Sequence, residues 1–102
     1  MSEEKEQKRE YQITTIAEES LRNIWKTLFH IEYPTKPIKA YILKPKEFAL
    51  VRTICGVSDN ANAWMQETKD YYVIVLLKGY RKETLYHELI HVYDHEPLKE
   101  VK

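Results

Sequence analysis

The chain has 102 residues, 43% of them hydrophobic, with 16 acidic and 16 basic side chains. That length suits one domain with one core, and the apolar fraction is too high for a disordered chain. The balanced charge supplies no field for nucleic acid or an anionic membrane surface, so neither is expected as a partner.

Residues 1–10 form a charged lead rather than an apolar secretory signal. From residue 11 to 31, Ile13, Ile16, Ala17, Leu21, Ile24, Trp25, Leu28 and Ile31 recur mostly at gaps of three and four, which predicts one long amphipathic helix. Pro34 and Pro37 end it, and His30 near its end reads as a capping or surface residue. Ile38, Ala40 and Ile42 alternate as one face of a strand. Pro45 then suits the first turn of a short helix, and Gly56 its C-terminal cap, while the β-branched Val51, Thr53 and Ile54 leave a strand over 47–55 as the alternative. Cys55 is the only cysteine, which excludes an internal disulfide and points to a reducing, cytoplasmic setting. It is expected as a small buried core thiol.

Residues 62–68 read as a strand and 68–70 as a hairpin turn. The apolar run at 71–77 lacks alternation, so it reads as a central strand buried on both faces. A last helix starts near Arg81 and stops before Pro97, leaving a short tail at 96–102. No run approaches the roughly 20 apolar residues of a transmembrane helix. The expected fold is a single α+β domain over 1–102. It has a long N-terminal helix, a small, mostly antiparallel sheet of about three strands, a short helix, and a C-terminal helix carrying the one chemical motif.

That motif is His87-Glu88-Leu89-Ile90-His91. On a helix, His87 and His91 stand one turn apart on one face, about 6 Å along the axis. Two imidazoles at that spacing can share one Zn2+ ion, each bonding at about 2.0–2.1 Å. Glu88 beside them is placed as a general base for a water molecule rather than as a ligand. A catalytic zinc takes three protein ligands, and the third is open. His95 is a candidate, although an unbroken helix would carry it about 12 Å from His87. It would serve after unwinding of the helix, or from another copy of the chain. Glu96 and Glu100 are the carboxylate alternatives, and Asp94 is a candidate to orient an imidazole. Asn62, Ala63 and Trp64 lie on the strand expected to bind an extended peptide substrate along its edge, with Trp64 shaping a side-chain pocket. The Cys-plus-motif ligand set of peptide deformylases is not matched around Cys55.

The motif, the Asn60-Ala61-Asn62-Ala63 segment and the strand at 71–77 together resemble the minigluzincins, minimal metallopeptidases of thermophilic prokaryotes. The likeness covers about residues 12 to 95. The few glycines and abundant Lys and Glu are compatible with a thermophile. The resemblance implies a zinc peptidase related to the catalytic domains of integral-membrane proteases. It also implies a histidine as third ligand and latency imposed by C-terminal segments. Only eleven residues follow His91, whereas gluzincins place the third ligand on a separate later helix, so exchange of C-terminal segments within a homodimer is a further expectation. The competing reading is a non-catalytic zinc-binding or protein-interaction module.

Overall fold

The computed structural model describes residues 13–96. The lead at 1–10, Glu100 and the exchange of a C-terminal segment all fall on residues outside that range, at least in part. Among the described residues the elements are β1 (Thr14–Thr15), α1 (Glu18–Phe29), β2 (Ile38–Leu43), α2 (Pro45–Ile54), β3 (Ala63–Glu67), β4 (Tyr72–Leu77) and α3 (Lys82–His95).

The expected architecture needs correction in two places. The sheet has four strands and is mixed, in the order β1-β2-β4-β3, rather than about three mostly antiparallel strands. β4 pairs antiparallel with β3 but parallel with β2, with Ile38 opposite Tyr72. That parallel pairing depends on a crossover through α2, and strand spacing alone does not reveal it. The long N-terminal helix is also shorter than the periodicity suggests. The β-branched Thr14 and Thr15 pair with Ile42 and Tyr41, and the Ile16 N–H donates to the Ala40 carbonyl at 3.0 Å. These bonds draw residues 14–16 into the sheet, although Ile13 and Ile16 fit a helical spacing. At the other end His30 adopts a left-handed conformation (φ 59°) that stops α1, leaving Ile31 half-exposed.

Side-chain alternation divides the core into two layers. Tyr72, Ile74 and Leu76 of β4, with Ile38 and Ala40 of β2, pack against Leu21 and Trp25 of α1 and Leu85, Leu89 and Val92 of α3. On the other face Leu43, Trp64 and Val75 meet Phe48 of α2. Helices on both faces explain why β4 is apolar without alternation. An aromatic cluster fixes α3 against α1. Phe29 stacks on Tyr93 at 4.6 Å between centroids, and Trp25 meets Phe29 edge-on at 4.5 Å.

α2 opens with Pro45 and closes on Gly56 (φ 71°). The Val57 N–H bonds the Arg52 carbonyl and the Gly56 N–H bonds that of Thr53, the paired bonds of a Schellman cap. Cys55 is the cap residue and is exposed, not buried in the core, because it lies past the last turn of α2 that covers the sheet. Among the described residues no helix is long and apolar enough to cross a membrane.

Candidate metal centre

α3 turns Leu85, Glu88, Leu89 and Val92 inward, the i, i+3, i+4, i+7 stripe that packs on the sheet. Glu88 therefore occupies a core position. At 5% exposure it is the one buried charged side chain among the described residues. None of the described residues donates a hydrogen bond to its carboxylate. Burial pushes the Glu88 carboxyl above the ordinary glutamate range, partly opposed by His91 and then His87.

His87 and His91 are exposed beside it. Their Nε2 atoms face each other at 3.1 Å, with the rings edge to face. Two zinc–nitrogen bonds of about 2.0–2.1 Å meeting at a tetrahedral angle place their nitrogens roughly 3.3–3.4 Å apart. The observed separation is slightly shorter, and is also hydrogen-bond distance when one ring carries its proton on Nε2. Nε2 is one of the two nitrogens by which neutral imidazole binds a metal. The ligand atoms of His87, Glu88 and His91 all lie within 4.8 Å of one another, the one such group among the described residues. These residues can hold a divalent metal ion.

No protein-family model, characterised protein or solved structure matches this chain. The chemistry of the site therefore rests on its own side chains.

The trio opens into a cleft of about 330 Å³, lined also by Ala63, Trp64, Met65 and His95. α3 is unbroken through His95, which stands outside the trio. Its Nδ1 instead meets Glu67 Oε1 at 2.9 Å, and Lys36 donates to Glu67 Oε2 at 2.7 Å. Lys36, and then His95, hold the Glu67 carboxyl below its usual range. Glu96 is engaged elsewhere, accepting a hydrogen bond from the buried Tyr72 hydroxyl. Burial, and then Glu96, raise the Tyr72 phenol pKa. Asp94 is exposed and bonds neither imidazole of the trio.

β3 is an edge strand. The Asn62 carbonyl accepts from the Leu77 N–H, and the Thr68 N–H donates to the Tyr71 carbonyl. In an antiparallel pair these alternate, so Trp64 and Gln66 also turn their backbone groups toward β4. Ala63, Met65 and Glu67 turn theirs to the free edge. Of the three residues expected to bind substrate, Ala63 and Trp64 line the cleft. The Trp64 side chain, however, is buried 5.2 Å from the Phe48 ring in the opposite layer. Asn62 lines a smaller neighbouring cavity beside the start of α3.

Sequence reasoning missed Glu67 and Lys36. The signal for Glu67 was available. Once Trp64 is assigned to the core, the period-2 rule puts Ala63, Met65 and Glu67 together on the other face.

Proposed function

We propose that the chain is a zinc-dependent metallopeptidase. The observation that carries this reading is the convergence of two Nε2 atoms 3.1 Å apart on a buried carboxylate, in a cleft bordered by a sheet edge. His87 and His91 would hold the ion. When bound, zinc supplies Lewis acidity toward a carbonyl or a water molecule. Glu88, whose burial raises its proton affinity, takes a proton from the attacking water and returns it to the amide nitrogen as the C–N bond breaks. The outward backbone groups of Ala63, Met65 and Glu67 offer an extended peptide a strand to pair with, which would lay its scissile bond beside Glu88.

The reading includes a cytoplasmic setting and latency through the C-terminal segment, so cleavage is tested on the full chain and on a form ending at Glu96. The experiment is metal analysis of the purified protein followed by a peptide-library assay. About one zinc per chain, lost in His87→Ala, together with cleavage that Glu88→Ala abolishes without losing zinc, would support it. Stoichiometric zinc with no cleavage by either form would instead favour a non-catalytic metal-binding module. One observation favours that second reading: among the described residues only two imidazoles and one carboxylate converge.

A further inference from the structure

His95 lines the same cleft as the trio yet is committed to a different partner. Its Nδ1 lies 2.9 Å from Glu67 Oε1, and the other oxygen of Glu67 is fixed by Lys36 at 2.7 Å. A carboxylate only accepts hydrogen bonds, so in the neutral ring this contact puts the proton on Nδ1 and leaves the lone pair on Nε2. The same arrangement orients histidines in metal sites and catalytic dyads, where a carboxylate sets the tautomer and the ring angle. Here the residue that holds the ring belongs to the free strand edge. The Glu67 side chain shares a face with Ala63 and Met65, and its own backbone polar groups face outward. The ring is therefore tethered to the edge along which a peptide would lie.

Building on the metallopeptidase reading, we propose that His95 is a substrate-binding residue and not a zinc ligand. Its Nε2 accepts a hydrogen bond from an N–H of the peptide paired with β3, and Glu67 is the positioning residue that aims it. The contact sets the register of the peptide. With one backbone N–H anchored at the His95 end of the cleft, the residues over Glu88 are fixed by the strand repeat of roughly 3.3 Å. The ligand class is an extended peptide with a free backbone N–H at that position, so a proline or an N-methylated residue there is disfavoured. The other functions on offer for His95 are less well served by the geometry. It stands eight positions along the unbroken α3 from His87, about 12 Å, too far for the two to share one ion.

The test compares the wild type with His95→Phe, Glu67→Leu and Glu67→Gln at pH 8, above the ordinary imidazole range. Each is given the same pooled library of blocked fluorogenic octapeptides, and zinc is counted in each sample. Loss of one hydrogen bond predicts a KM higher by roughly three- to tenfold in His95→Phe and Glu67→Leu, with kcat little changed. Glu67→Gln keeps an oxygen that can accept from Nδ1–H and should stay near wild type. Zinc should remain at one per chain throughout. A large loss of zinc in His95→Phe would make His95 a ligand and overturn the proposal, as would unchanged kinetics in that variant. If His95→Phe fails to fold, the Glu67 pair decides: equal KM values for Leu and Gln refute the positioning role. If neither the full chain nor a form ending at Glu96 cleaves any peptide, the metallopeptidase reading falls and this inference with it. A wild type that cleaves beside an unaffected His95→Phe removes the inference alone.

Discussion

Replacing Glu88 with leucine should make the metal-free protein more stable. Glu88 fills one of the four inward positions of α3, at 5% exposure, among Leu85, Leu89 and Val92. Its side chain is buried, but its carboxylate borders the cleft and meets no hydrogen-bond donor from the described residues. Such partial desolvation costs about 1 kcal/mol, the low end of the range for a buried unpaired group. Leucine has a similar volume, so it should fit without a large cavity or overpacking. A gain of about 1 kcal/mol is expected, and for a domain of this size that raises Tm by about 4–8 °C. The assay is calorimetry at pH 7 in the presence of a chelator, which removes stabilisation through bound metal.

The pH dependence of the gain gives a second readout. The folded-state pKa of Glu88 is raised by burial, so the folded protein holds its proton to higher pH than the unfolded chain. The wild type therefore loses stability as pH rises from the ordinary glutamate range through the folded pKa, and the variant lacks that loss. The gap should close as pH falls toward 4.5. A variant that melts at or below the wild-type temperature at pH 7 would show that Glu88 is a satisfied structural residue, and the case for a poised base would fall.

Further outcomes follow from other parts of the molecule. Zinc at 100 times its dissociation constant should add about 2.7 kcal/mol to stability, a rise of roughly 10–20 °C in Tm. That rise should vanish in His87→Ala, and its persistence would remove His87 from the site. Gly56→Ala should cost about 1–2 kcal/mol in denaturant unfolding, because φ is 71° and no atom within 4 Å of the added Cβ contributes to the cost. A neutral result would mean that the left-handed cap is not needed. Tyr33 is raised to about 12, first by burial and then by Glu18, against Arg22. Its contribution to stability is thus present below pH 10 and lost as pH rises through about 12. Ultraviolet titration of Tyr33→Phe should lack one late-ionising phenol, whereas loss of a phenol titrating near 10 would contradict this.

Local features of the fold were legible, and distant pairings were not. Gly56 after Ile54 was readable as a cap because a Schellman turn is encoded within a few residues. The burial of β4 on both faces followed from its continuous apolar run. Its parallel partner did not, because Ile38 and Tyr72 are 34 positions apart and many sheets accommodate the same alternation. β1 was hidden for a related reason. Two apolar residues three apart fit a helix and also fit a chain entering a sheet, and Thr14 and Thr15 carry the only local hint. In the site, His87, Glu88 and His91 were readable because one helical turn brings them together. The Glu67–His95 contact spans 28 positions and depends on α3 crossing β3, which no local spacing encodes.

The free edge of β3 also bears on self-association in solution. Ala63, Met65 and Glu67 expose unpaired backbone donors and acceptors, which another strand of any origin can use to extend the sheet. Two features of this strand limit that hazard. It is five residues long, and its last residue carries a carboxylate held between Lys36 and His95. A second copy aligning its own β3 there would have to displace solvent from this fixed ion pair. Charge at one end of a short edge thus discourages growth into a continuous sheet, while the uncharged end at Ala63 and Met65 stays open to a single guest strand.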